Sequence, residues 1–199
     1  MQKNKIIEQK AKLLDDGFIY FDDKGHQVKI TFDKDEKSQM LEKSDKRVFI
    51  EKFNKKDDIE LLVIGNKVKE NIIINKQRES YKYVYNLELT NLLLEEKNGK
   101  FYFLDKFSKE QVFKLSEFIM FDEDNKESKN IKVKTKQINE NRYELTVRPN
   151  KEWINSGIRK LPVVVDPSVE TVATDIFTFS SSYNQGYIDQ QGFGRVGYI

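Results

Sequence analysis

The chain contains no cysteine, which removes disulfide bonds, thiol nucleophiles and cysteine-ligated zinc in one step. It has a single histidine, His26. A histidine base or metal site needs a second group within reach, and no residue pattern nominates one, so His26 reads as a structural or solvent-facing side chain in a turn. Long apolar runs are missing too. No segment approaches the roughly 18 apolar residues of a membrane span, and the opening Met1-Gln-Lys-Asn-Lys-Ile-Ile-Glu-Gln-Lys10 lacks the apolar stretch of a signal peptide. An excess of one charge is absent as well: 35 Lys and Arg stand against 33 Asp and Glu, and the two signs alternate along the chain. That argues against a nucleic-acid partner or a membrane footprint.

What is present is aromatic and β-patterned. Fourteen Phe and nine Tyr raise the area buried per apolar position in a chain that is only 38% hydrophobic. Phe18 and Tyr20, then Val28, Ile30 and Phe32, alternate with polar residues around Asp22-Asp-Lys-Gly25, a hairpin signature. Ile59, Leu61 and Val63 precede Gly65-Asn66, and Val68, Ile72 and Ile74 follow it, giving a hairpin with a two-residue turn. Further strands are expected at Val48–Ile50, Tyr81–Leu89, Leu92–Leu94 with Phe101–Phe103, Val112–Phe121, and Ile131–Gln137 with Tyr143–Val147. Residues 33–46 are polar and read as a loop. Ile6, Ile7, Ala11 and Leu14 fall near one helical face before Asp15-Asp16-Gly17, which predicts a short helix over residues 3–14. The fold class is therefore all-β, a β-sandwich or curled antiparallel sheets with one short N-terminal helix.

The sole Trp and two of the three Pro crowd into residues 151–167. Trp153 opens a turn closed by Asn155-Ser-Gly157, and Leu161–Val165 forms a buried strand stopped by Asp166-Pro167. Beyond Pro167 lysine nearly disappears and Ser, Gln, Asn and Gly take over, which marks a boundary near residue 168. Three regions result: 1–46, a helix and hairpin belonging to the same sheet system; 47–167, the sandwich; and 168–199, the start of a following β domain.

Asp57-Asp-Ile-Glu-Leu-Leu-Val-Ile-Gly-Asn-Lys-Val-Lys-Glu-Asn-Ile-Ile-Ile74, Glu152-Trp-Ile154 and Leu161-Pro-Val-Val-Val-Asp-Pro167 together resemble a known module. It is the β-domain that precedes the DNRLRE domain in large bacterial surface and secreted proteins, including wall-associated and Rhs-repeat proteins. The resemblance spans residues 47–170, with Ile154 where the family has Leu and Leu161 where it has Tyr. Residues 174–199 resemble the opening of the DNRLRE domain, with Phe193-Gly194 in place of a Leu before Arg195-Val-Gly197. The family motifs are apolar and turn residues. The resemblance implies an exported, non-enzymatic scaffold whose partners are the adjacent domains of a longer chain, located outside the cell or on its surface. The apolar, strand-like ending Gly192–Ile199 fits that expectation of a piece of a longer protein.

Two alternatives compete with the scaffold. Tyr81, Tyr83 and Tyr85 share one strand face, and with Trp153 they are the candidate ligand-binding residues of a glycan-binding sandwich that recognises cell-wall or host carbohydrate; core packing produces the same spacing. A glycoside hydrolase fragment would need two carboxylates facing one cleft. Asp122-Glu-Asp-Asn-Lys-Glu127 has the opening of a calcium loop but lacks its Gly and its closing Glu, and reads as a solvated turn. No cofactor, no metal and no catalytic residue is expected.

Overall fold

The computed structural model describes residues 9–65, 67–115, 117–166, 169–171, 187–188 and 194–195. In chain order the strands are β1 (Gln9–Leu14), β2 (Gly17–Asp22), β3 (Gln27–Phe32), β4 (Gln39–Lys43), β5 (Arg47–Glu51), β6 (Asp58–Ile64), β7 (Lys67–Ile74), β8 (Tyr83–Thr90), β9 (Leu92–Lys97) and β10 (Lys100–Asp105). They continue as β11 (Gln111–Leu115), β12 (Ile119–Phe121), β13 (Glu127–Ser128), β14 (Ile131–Asn139) and β15 (Arg142–Pro149), and after the single turn of helix α1 (Lys151–Ile154) as β16 (Val163–Asp166) and β17 (Val169–Thr171). A separate ribbon pairs β18 (Tyr187–Ile188) with β19 (Gly194–Arg195).

Two antiparallel sheets make an all-β, sandwich-like fold. The first has the order β1-β2-β3-β8-β15-β14. The second runs β13-β12-β16-β7-β17-β11-β10-β9, and carries β4, β5 and β6 as a branch from β7. Each sheet sends one face of its strands inward. Tyr83, Tyr85, Leu87 and Leu89 of β8 are buried while the residues between them are not, and Val68, Ile72 and Ile74 of β7 answer them from the other sheet. Phe18, Tyr20, Ile30, Phe103, Phe113, Leu145 and Val147 join the same continuous core. Period-two alternation is thus what divides the chain into wall and interior.

Glycine is required at two turns. Gly65 closes β6 onto β7 with φ of 63°, the left-handed geometry that a tight hairpin turn favours. At Gly17 the constraint is steric: an added Cβ would stand 1.9 Å from the Ile30 carbonyl oxygen, because β2 is paired with β3 at this very point, Gly17 facing Thr31.

Several expectations need correction. The helix predicted over residues 3–14 is replaced, in its described part, by strand β1 paired along its length with β2; a marginal amphipathic turn loses to a full ladder of backbone hydrogen bonds. Residues 1–8 lie outside the described residues. The polar stretch 33–46 contains β4, an edge strand held by pairing with β5. Val112–Phe121 is two strands, β11 and β12, and not one. Strands of the 1–46 region join both sheets, β3 pairing with β8 and β4 with β5, in keeping with one sheet system. At residues 169–171, β17 pairs with both β7 and β11.

Candidate functional site

The tyrosine row belongs to the interior. Tyr81, Tyr83 and Tyr85 are 3%, 3% and 2% exposed, so the face they share cannot stack on a sugar. Their hydroxyls are placed instead against polar groups contributed by other elements. Tyr85 donates to the Glu70 carboxyl on β7, and Tyr83 donates to Asp57 Oδ2 at 2.9 Å. Tyr81 donates to Asn155 Oδ1 at 2.7 Å, beside α1. Tyr20 on β2 follows the same rule, its hydroxyl accepting from the Val68 backbone N–H. Three tyrosines of the first sheet (Tyr20, Tyr83, Tyr85) therefore bridge to the second, and each buried hydroxyl has a partner, as burial demands.

Asp57 is the best-buried charge among the described residues, at 0% exposure. The Arg78 guanidinium grips both its oxygens, Asn54 Nδ2 donates to Oδ2 at 3.0 Å, and its own N–H is held by Asn54 Oδ1 at 2.8 Å. Arg78 also donates to Tyr83 at 3.0 Å and stacks 4.4 Å from the Tyr81 ring centroid. Burial works against its charge, yet the bond to Asp57 more than compensates, and Arg78 holds its proton more tightly than a free arginine. Burial first, and the Asp57 charge second, push the Tyr83 phenol well above its ordinary value. Glu70 makes no ion pair among the described residues. Burial pushes its carboxyl up to about 8, the Tyr85 hydrogen bond only partly opposing the shift, so at neutral pH Glu70 is mostly a neutral acid in the core.

His26 sits at the other polar cluster, 6% exposed. Its Nδ1 lies 2.6 Å from Asp22 Oδ2 and its Nε2 2.6 Å from Asp105 Oδ2. With a carboxylate facing each ring nitrogen, the arrangement favours the doubly protonated imidazolium, which donates to both. Desolvation opposes that charge, but the bonds to Asp105 and Asp22 outweigh it and the net direction is upward. Asp105 falls well below the usual carboxylate range, first through His26 and then through the Ser108 N–H. The triplet joins the β2–β3 turn of one sheet to the end of β10 in the other.

Trp153 lies on α1, whose N-cap Asn150 accepts from the Trp153 N–H at 2.7 Å. The indole is half-buried against the core, and the Arg159 guanidinium covers it at 4.7 Å. Arg159 in turn donates to buried Asp122 at 3.0 Å, while Lys160 bonds Asp124 at 2.8 Å. The acidic turn that resembled a calcium loop is thus committed to two cations of the 151–162 segment. Among the described residues no group of three or more His, Asp or Glu is placed to hold a metal ion.

Apart from these clusters, an open cleft of about 970 Å³ lies between the two sheets. Phe101, Leu115, Phe118, Ile131 and Val133 supply its apolar walls. Glu117 on its rim is ion-paired to Lys129 at 2.6 Å, which lowers its pKa, so the cleft offers no protonated carboxylic acid there.

Asp57, Glu70, Arg78 and Asp105 were not singled out from the sequence. Glu70 had a visible signal, since it occupies the inward register between Val68 and Ile72 on β7. Compared with known protein families, curated proteins and solved structures, the chain matches none.

Proposed function

We propose that this chain is a non-enzymatic structural module of a large exported bacterial protein of the surface-attached, wall-associated or Rhs toxin-delivery kind. The observation that carries the reading is the use made of the polar interior. Asp57, Arg78, Tyr83, Tyr85, Glu70, His26 and Asp105 are spent on one another across the two sheets, which suits a rigid support. The sequence resemblance to modules preceding a DNRLRE domain supports the same conclusion.

The glycan-binding alternative loses its platform, because the tyrosine row is internal and Arg159 covers the Trp153 ring. A glycosidase fragment is disfavoured on similar grounds. Its raised carboxyl, Glu70, is 1% exposed in the core, whereas glycoside hydrolysis needs its acid beside the sugar.

The test has two parts. Fractionation of the producing bacterium should find the protein in the wall or the medium, and the purified, folded chain should bind neither peptidoglycan nor a glycan panel. Confinement to the cytosol, or saturable sugar binding abolished by Trp153→Ala, would overturn the reading.

A further inference from the structure

The cleft is bounded on one side by β14, the outer strand of the first sheet. Its pairing with β15 places Val133 against Val147 and Thr135 against Leu145, so Ile131, Val133 and Thr135 point toward the interior. They are nevertheless only half-buried, because the facing sheet does not close over them and the cleft opens there instead. Lys132, Lys134 and Lys136 alternate with them, exposed on the outer face, and none of the three has an ion pair among the described residues. Lysines on an edge commonly guard against unwanted pairing. At the opposite edge, β1 has that ordinary arrangement: Lys10 and Lys12 face outward while Ala11 and Leu13 pack into the core, with β5, β6 and β7 lying over the strand. The two edges differ in what lies behind the lysines, a filled core at β1 and, at β14, an open cleft whose apolar walls (Phe101, Leu115, Phe118, Ile131, Val133) are rimmed by charged side chains such as Lys100, Lys114 and Lys129.

We infer that β14 is an acceptor edge for an extended peptide strand with apolar residues on one face and carboxylates on the other. Such a strand would continue the sheet through main-chain hydrogen bonds. Its apolar side chains would enter the cleft beside Ile131, Val133 and Phe118, and its acids would lie beside Lys132, Lys134 and Lys136 as cross-strand pairs. A second copy of the chain is the wrong occupant, because β14 against β14 brings lysine beside lysine, which cross-strand pairing penalises. The inference is independent of where the protein resides.

The experiment uses the full chain with two capped peptides, Val-Glu-Val-Glu-Val-Glu-Val and Val-Lys-Val-Lys-Val-Lys-Val, read by fluorescence anisotropy and by amide hydrogen exchange. The acidic peptide should bind saturably, slow exchange within residues 131–139, and bind at least about tenfold more tightly than the basic one. The triple variant Lys132→Glu, Lys134→Glu, Lys136→Glu alters exposed side chains only and should reverse the preference. No binding of the acidic peptide, equal binding of both, a preference unchanged by the triple variant, or protection without peptide of the β14 amides that do not bond to β15 would each overturn the inference.

Discussion

Removing the His26 clamp offers the sharpest measurement of how the two sheets are held. His26 is buried between Asp22, whose side chain is 1% exposed, and Asp105. Replacing it with glutamine discards the positive charge and leaves Asp22 with only the Lys24 and His26 backbone N–H groups at 2.9 and 3.0 Å. Breaking a buried, hydrogen-bonded ion pair from one side typically costs ~3 kcal/mol or more. For a domain of this size that corresponds to a fall in Tm of about 6–12 °C.

The pH dependence separates the clamp from simple packing loss. The folded-state pKa of His26 is raised, so its contribution is complete below the unfolded value of about 6.5 and disappears as pH climbs through the folded value. The depressed Asp105 acts at the other limit: its contribution is present above about 3.9 and is lost as pH falls toward its folded value. Glu70 also weakens the fold as pH rises, so urea unfolding should be followed from pH 5 to 9 in a Glu70→Gln background, with and without His26→Gln. Stability should drop above pH 6.5 with a slope no steeper than about 1.4 kcal/mol per pH unit, and adding His26→Gln should flatten that limb. A limb that survives the substitution, or a loss at pH 6 below about 0.5 kcal/mol, would refute the imidazolium clamp.

Three further outcomes are expected. With its carboxyl at about 8 in the fold, Glu70 stays protonated where the unfolded chain has ionised, so stability falls between about pH 4.3 and 8; Glu70→Gln should gain about 4–5 kcal/mol at pH 8 in urea unfolding and almost nothing at pH 4. Arg78→Met strands Asp57 at full burial and should cost about 3–5 kcal/mol, with a changed near-ultraviolet tyrosine circular dichroism because Tyr83 shares that carboxylate. Gly17→Ala drives a methyl group into the Ile30 carbonyl and should cost about 2–4 kcal/mol, visible as lost hydrogen-exchange protection along β2 and β3.

Strands with one buried face were legible because burial writes itself into alternation. The β6–β7 hairpin, β8 and the β14–β15 pair were all readable that way. Where pairing stabilises a strand without burying a face, the pattern carries nothing: β4 leaves Met40 and Leu41 36% and 53% exposed, and its composition is that of a loop. At β1 the residues Ala11 and Leu13 alternate, but Ile6, Ile7, Ala11 and Leu14 also fit a helix, and only the partner strand decides between them. The tyrosine row was visible as a row, with burial and exposure equally compatible with its spacing. Its partners were harder to see, since Asp57 and Arg78 are 21 positions apart and His26 and Asp105 are 79, and nothing local links residues that meet only after the sheets stack.

The position of the clamp bears on how the module would sit in a longer chain. Gln9, where β1 begins, pairs with Asp22, one of the clamp carboxylates. The last strand joined to the sandwich runs toward Thr171, which pairs with Phe113, and the Phe113 ring stands 6.1 Å from that of Tyr20, two residues from Asp22. Beyond Phe113 on β11 lies Gln111, beside the end of β10 that carries Asp105. Gln9 and Thr171 therefore lie toward one pole of the sandwich, the pole where His26 ties the two sheets together. A pull applied at these two positions loads β1, β17 and the clamp before it reaches the tyrosine bridges deeper in the core. In single-molecule pulling from positions 9 and 171, His26→Gln should lower the force of the first unfolding event, whereas an equally destabilising change at Arg78 should leave the first force closer to that of the wild type. Equal force losses from both would mean that the sandwich yields as one unit and that the clamp has no special mechanical place.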